Sequence, residues 1–300
     1  MERGLRKMDL SIVIPHFNRK ELLERCLSSI PAGVATLSYE TIVVDNGSKD
    51  GSPERVKERF PDVLLLQNEA NEGFSRATNR GLRMAQGEYL LCINNDTVLS
   101  PHSLEILVSF MKQHPGAGVS GGKILNRDGT LQPSARSFPR IETAFFNRSS
   151  LLSRLFPQNP FSRRYLLTDW DHHSVREVDW VSGSFFLIRR EVLQKVGFFD
   201  ERFFLYCEDV DYCRRVKETG YHVFYVPEAQ ILHDTGYSEK RVNTLFFHHQ
   251  SMYRFYKKYE ARGPFWDRII LGGISLRFLS SVCLLTTRRL FLRKENGPSS

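Results

Sequence analysis

A chain of 300 residues, 41% apolar and 25% charged, has room for one large domain or two modest ones with ample core, which excludes wholesale disorder. The formal net charge of +8 points to an anionic partner: a nucleoside diphosphate, a phospholipid surface or nucleic acid. From Arg262 onward seven basic residues face two acidic ones, so most of the excess lies in the tail.

Leu10-Ser-Ile-Val-Ile-Pro15 is a short β-branched run and predicts the first strand. A helix is expected from Arg19 to Ile30, with Leu22, Leu23, Cys26, Leu27 and Ile30 on one face. Tyr39 to Asp45 reads as the second strand. Ser52-Pro53 has the form of an N-cap followed by proline in the first turn, opening a helix to about Phe60. Val63 to Leu66 is the third strand. Phe74 to Ala85 is a helix closed by Gly87, and Tyr89 to Asn94 is the fourth strand. Ser100-Pro101 is expected to start a helix bearing Leu104, Leu107, Val108 and Met111. Strands alternating with helices predict a parallel α/β sheet.

The four strands end in Pro15-His16-Phe17-Asn18, Asp45-Asn46-Gly47-Ser48, Gln67-Asn68 and Asn94-Asn95-Asp96. A parallel sheet puts these ends on one edge, where such folds bind ligands. A carboxylate there, Asp96, can hold a hard cation through oxygen. Read alone, Asp-Asn-Gly-Ser is a turn. Gly129 to Trp180 has no clean period and is expected as loops and short elements over the site. Asp179 to Ile188 returns to strand, Arg190 to Val196 is a short helix, and Phe198 to Tyr206 is an aromatic loop. Asp209 to Glu218 is a helix stopped by Gly220, and His222 to Val226 is a strand before Pro227. Gly116-Ala-Gly118-Val-Ser-Gly121 matches Gly-x-Gly-x-x-Gly literally, but it follows a helix and precedes an apolar run, the reverse of the dinucleotide context. Cys26 and Cys92 sit in apolar patterns and read as buried hydrophobes in a reducing cytosol. The charged first residues predict no secretory signal.

Seven stretches then combine: Val-Ile-Pro-His-Phe-Asn (13–18), Val-Val-Asp-Asn-Gly-Ser (43–48), Asn-Glu-Gly-Phe-Ser-Arg-Ala-Thr-Asn-Arg-Gly (71–81), Asn-Asn-Asp (94–96), Trp-Val-Ser-Gly-Ser (180–184), Phe-Phe-Leu-Tyr-Cys-Glu-Asp-Val-Asp (203–211) and His-Asp-Thr-Gly-Tyr-Ser (233–238). In this order they make the chain, from about Leu10 to Ser238, resemble the family 2 glycosyltransferases, and among them the bacterial rhamnosyltransferase-like branch. The resemblance implies a GT-A nucleotide-sugar transferase fold, an α/β fold with a mostly parallel central sheet flanked by helices. Residues 1–125 would be the donor-binding half, 126–240 the acceptor-binding and catalytic half of the same domain, and 241–300 a helical basic tail. The implied reaction moves a sugar from a nucleoside diphosphate to an acceptor hydroxyl with inversion. The best donor guess is dTDP-rhamnose or a UDP-sugar. The acceptor would be a glycan or a lipid-linked species in cell-surface polysaccharide synthesis, and nucleic acid is not expected as a partner. Two alternatives stay open: a nucleotidyltransferase making nucleotide sugars, and a catalytically dead protein that binds nucleotide sugar or membrane.

The resemblance also carries roles. Asp96 matches the last residue of the Asp-x-Asp motif, with Asn94 in place of the first acid, and His233 matches a late metal-ligand histidine. Together they imply a divalent metal, Mg²⁺ by the single carboxylate or Mn²⁺ by the imidazole. Asp209 is the general base and Glu208 the runner-up, although acids also favour the first turn of a helix. Asp45 would accept from the pyrimidine ring N–H in a pocket lined by Pro15, Phe17 and Asn18. Asn71, Gly73 and Asn79 match the donor loop, and Asn94 and Asn95 are expected at the substrate. Arg76 is either near the diphosphate or a solvated helix arginine. Trp180 and Gly183 would border the acceptor, with a buried strand tryptophan equally open. Ile269 to Thr287 carries one charge, Arg277, in nineteen residues, and basic residues flank it. It reads as an amphipathic helix in an anionic membrane interface, with a span and packing on the protein or a partner as the alternatives, and places the protein at the cytoplasmic face of the inner membrane.

Overall fold

The computed structural model describes residues 8–140, 159–234 and 242–295, with side chains to Thr287. The expected elements are present with shifted ends. In order they are β1 Leu10–His16, α1 Lys20–Gly33, β2 Tyr39–Asp45, α2 Ser52–Arg59, β3 Leu64–Gln67, α3 Phe74–Met84 and β4 Tyr89–Ile93. Then come β5 Thr97–Leu99, α4 Ser103–Gln113, β6 Ala117–Leu125, β7 Leu131–Gln132 and β8 Ala135–Arg136. The second half holds α5 Pro160–Leu166, β9 Arg176–Val178, β10 Trp180–Val181, β11 Phe185–Arg189, α6 Arg190–Val196, α7 Glu208–Glu218, β12 His222–His233, α8 Val242–Tyr259 and α9 Pro264–Glu295.

The main sheet runs β3-β2-β1-β4-β11-β6-β12-β5, with β7 on β6 and β9 on β12. β1 to β4 are mutually parallel, so their polar ends share one edge as expected. β11 enters antiparallel between β4 and β6, and therefore a strand from the second half lies inside the sheet of the first. Side chains alternate across the sheet with period two. Ile12 and Ile14 of β1 and Leu91 of β4 join one core with α1 and α4, while Val13, Leu90 and Cys92 join the other with α3 and α7.

Four expectations change. The N-cap of α2 is Gly51 rather than Ser52, whose hydroxyl is taken by Asp50. Ser100-Pro101 does not begin α4, because the short β5 and a turn precede it. The run Asp179 to Ile188 is two strands, broken at Ser182-Gly183-Ser184. β12 does not stop before Pro227. It pairs with β6 to Val226, leaves Pro227, Glu228 and Ala229 unpaired, and resumes at Gln230. A bulge is where a strand tolerates proline. Gly118 and Gly121 lie inside β6, in no phosphate-binding turn, and a Cβ on Gly118 would come within 2.8 Å of Tyr221.

Candidate active site

The shared strand edge opens into a cleft of about 1080 Å³. Its lining includes Pro15, Phe17, Asn18, Asn71, Gly73, Asn94, Asn95, Asp96, Trp180, Gly183, Glu208, Asp209 and His233. Thirteen widely separated residues of the sequence reading thus meet in one cavity. Asp45 and Asn79 do not line it.

Asp96 follows β4 and His233 ends β12. The antiparallel register of β12 with β5, His233 opposite Thr97, brings them together, with His233 Nε2 3.0 Å from Asp96 Oδ1. Gln132 Oε1 lies 3.0 Å from His233 Nδ1 and can only accept, so the Nδ1–H donates there and leaves an Nε2 lone pair. Asn94 Nδ2 is 3.2 Å from the same Nε2 and also donates to Ser184 Oγ. Asn94 therefore acts as a donor that orients the imidazole, which a carboxylate at this position could not do. Asp96 Oδ1 is buried and has no hydrogen-bond donor among the described residues. Two facing acceptors at this spacing suit a shared cation. Among the described residues no group of three His, Cys, Asp or Glu side chains converges, so the protein supplies only this pair.

The second centre lies at the start of α7. Tyr206 and Cys207 both have left-handed backbone, φ 69° and 66°, a strained pair that turns the chain into the helix. Three acids follow within one turn and differ by partners. Asp211 is fully buried and bound by Arg215 Nε at 2.9 Å, Tyr259 OH at 2.8 Å and Lys258 Nζ at 2.5 Å. Glu208 is buried with Oε2 unpartnered, and burial, reinforced by the Asp209 charge, pushes its carboxyl well up. Asp209 opens on the cleft and accepts the Gly183 N–H at 2.9 Å and the Val210 N–H at 2.8 Å. Burial raises Asp209 too, against those two donors and Arg136. Of Glu208 and Asp209, only Asp209 has backbone donors to its carboxylate, although burial still leaves its carboxyl raised.

Asp45 accepts the Ser48 N–H at 3.1 Å and keeps a buried, unpartnered Oδ1. Asn18 has left-handed backbone, and its Oδ1 accepts the Lys49 N–H at 3.0 Å. Asn71 Oδ1 accepts the Gly73 N–H at 3.0 Å. Gly73 has φ +91°, and a Cβ there would stand 2.7 Å from Phe204, so the close approach is to that loop. Asn79 is fully buried and brackets Phe199 through its N–H and C=O at 3.0 and 2.9 Å, which makes it a tie to the aromatic loop. Arg76 lies 3.5 Å from Glu201 in an exposed ion pair. Trp180 is 8% exposed, donates to Ser137 O at 2.9 Å, and carries Arg136 over its ring at 5.4 Å. The buried-tryptophan alternative and the cleft wall are therefore both realised.

Several residues escaped the sequence reading. Asn46 holds the donor loop through Asn68, Asn71 and the Gly73 carbonyl. His16 Nδ1 lies 2.7 Å from Asn95 Nδ2, and burial pushes His16 down to about 4, so the imidazole is neutral and accepts. Gln132, Ser184 and Arg136 were missed as well. Asn46 and His16 had a signal in their places at strand ends, and Ser184 in the 180–184 motif, whereas Gln132 and Arg136 had none. Thr235 to Ser238 of the last motif lie outside the described residues.

A mixed sheet of this topology, with a strand-end carboxylate and an opposing acid in one cleft, fits the layout of a glycosyltransferase. The comparisons specify the family. Residues 11–197 match the model of glycosyl transferase family 2. The N-acetylglucosaminyl-diphospho-decaprenol L-rhamnosyltransferase of Mycobacterium tuberculosis is 34% identical over 259 residues, 82% of this chain and 83% of that one. A mannosyltransferase from Pyrobaculum calidifontis, solved with GDP-Man and Mn²⁺, superposes with a TM-score of 0.56 at 17% identity, over 98% of this chain and 77% of that one. GalNAc-T7, solved with UDP, GalNAc and Mn²⁺, gives a TM-score of 0.60 at 15% identity over 84% of this chain, which spans about half of that longer protein, 48%. The solved structures bear on the fold, which is GT-A. The chain belongs to glycosyl transferase family 2 and is a glycosyltransferase. That decides against a nucleotidyltransferase.

Proposed function

We propose that the protein transfers a sugar from a nucleoside diphosphate, dTDP-rhamnose or a UDP-sugar, to a hydroxyl of a lipid-linked acceptor in cell-surface glycan synthesis. The observation that carries it is the meeting of the Asp96–His233 pair and Asp209 in one cleft. The relative of M. tuberculosis, named for a diphospho-decaprenol acceptor and an L-rhamnosyl group, supports the substrate classes.

On this reading Phe17 and Asn18 line the nucleobase pocket, and Asp45, whose unpartnered Oδ1 is buried behind the cleft lining, accepts from the base once that oxygen is uncovered. The loop pinned by Asn46 closes over the donor. Asp96 and His233 would hold a divalent ion, Mg²⁺ or Mn²⁺. When bound, that ion supplies positive charge for the diphosphate. Asp209 removes the proton of the acceptor hydroxyl as its oxygen bonds to the anomeric carbon, and the bond to the diphosphate breaks with the electron pair leaving on phosphate oxygen. Attack opposite the leaving group inverts the centre. Glu208, held neutral by burial, gives Asp209 a neighbour that does not repel its charge.

The apolar side chains of α9 support contact with a membrane. Pro264–Thr287 is long and apolar enough to cross a bilayer by length and composition. Ile270 and Ile274 pack on Tyr256 of α8, while Phe265, Leu276 and Leu279 face outward, 59–70% exposed. An outward stripe beside basic residues suits interfacial docking.

The donor half is tested by thermal shift of the whole chain with nucleoside diphosphates, with and without Mn²⁺. Stabilisation should grow with ligand concentration over its dissociation constant, and more so with metal. The reading fails if no nucleoside diphosphate moves the melting temperature.

A further inference from the structure

Arg277 is the one charge in the apolar stretch Ile269 to Thr287, and a charge there is costly unless something pairs with it. It does not turn to solvent. Arg277 lies on the same face of α9 as Ile270 and Ile274, at spacings of seven and three, and all three line the cleft. Met252 and Tyr256 of α8 complete this wall. The half-buried guanidinium donates to Met252 Sδ, 3.9 Å away, and lies within electrostatic reach of His249 on α8, while among the described residues no carboxylate pairs with it. The sulfur is a weak acceptor and leaves the fork of donors unfilled.

The site lies toward Asp209. Tyr165 is within electrostatic reach of Arg277, and the same ring feels Arg136 and Asp209. Arg136 stands over Tyr165 at 5.8 Å, and its Nε is buried without a partner. Arg136, with its Nε–H unpaired, thus stands over Tyr165, and Arg277 is within electrostatic reach of the same ring, on the side of the cleft where the base, not the nucleobase pocket, is found. The wall beside them is aliphatic, and the opposite face of α9 exposes Leu276 and Leu279. A ligand with a phosphate at one end and an apolar chain behind it matches this order of charge and oil.

We propose that Arg277, with Arg136, seats the phosphate of the acceptor lipid, whose chain runs along the α8–α9 wall. This rests on the transferase reading above. A guanidinium takes phosphate with paired N–H···O bonds, a geometry that a solvated lysine does not reproduce. Arg277 would thereby fix the distance from the membrane-held phosphate to the hydroxyl facing Asp209.

The test is calorimetric binding of decyl diphosphate and of inorganic diphosphate to the full chain, in saturating nucleoside diphosphate and Mn²⁺. Wild type should bind decyl diphosphate more tightly than inorganic diphosphate. Arg277→Gln should weaken decyl diphosphate about tenfold or more, the size of a lost charge-assisted contact, and Arg277→Lys should recover part of it. Arg268→Gln, exposed on the same helix, should bind like wild type. Melting temperatures and nucleoside diphosphate affinity should match throughout. Unchanged binding of decyl diphosphate by Arg277→Gln overturns the proposal. Equal affinity for the two diphosphates in wild type removes the lipid from it, and loss of nucleoside diphosphate binding in Arg277→Gln would move the residue to the donor half. Failure of wild type to bind any nucleoside diphosphate counts against the transferase reading alone, because the decyl diphosphate comparison is then still read without it.

Discussion

Glu208, Asp209 and Asp211 share one helical turn and have three different fates, set by what each carboxylate touches. Asp211 is held by Arg215, Lys258 and Tyr259. Asp209 has two backbone donors, and Glu208 has an unpartnered oxygen. The raised Glu208 carboxyl makes a stability prediction whose sign follows from linkage. Its folded pKa lies above its unfolded value. The stability it permits is complete below the unfolded carboxylate range and is lost as pH rises to the folded value, since the unfolded chain ionises first. Glu208→Gln should therefore flatten the decline in urea midpoint as pH rises above the ordinary carboxylate range. A decline as steep as that of wild type would mean that Glu208 is not the group held neutral. Gly73→Ala tests the loop in the same way. Its φ of +91° and the 2.7 Å approach to Phe204 predict a loss of about 1–3 kcal/mol in unfolding free energy together with weaker donor binding.

At the scale of elements, the buried strands β1, β2 and β4 were legible because both their faces are packed, which makes continuous apolar runs. The helices α1, α4 and α7 were legible from apolar residues at spacings of three and four. What escaped was set by partners distant in sequence. β5 is three residues long, too short for any period to register, and exists because β12 pairs with it. Pro227 reads as a stop, yet β12 carries it in a bulge and goes on to deliver His233. Ser182-Gly183-Ser184 sits within an apolar run and nonetheless turns, aiming the Gly183 N–H at Asp209. The carboxylates and the histidine of the site were found through motif order. Gln132 and Arg136 lie in a segment without period, and only the folded sheet brings them to the cleft.

At the scale of the molecule, the net charge of +8 and the apolar tail point the same way. Both suit the proposed donor diphosphate in the cleft and the proposed membrane surface beside it. α8 clamps the aromatic loop through the Phe204–Phe247 stack at 4.1 Å and the Ser251–Leu205 hydrogen bond at 2.9 Å, so the tail and the strained entry to α7 form one unit. If α9 docks at the interface, Leu276→Glu with Leu279→Glu should reduce sedimentation with anionic liposomes by about tenfold or more while leaving the melting temperature unchanged, since both side chains point outward. Undiminished sedimentation would place the contact elsewhere.

The central claim is that Asp209 is the base in a cleft that binds the sugar donor independently of it. The most direct measurement is sugar transfer and donor affinity in Asp209→Asn, assayed side by side with wild type. An amide keeps the volume and the Gly183 contact but takes no proton, so transfer should fall by about a hundredfold or more with donor binding intact. Transfer at the wild-type rate by Asp209→Asn would contradict the account.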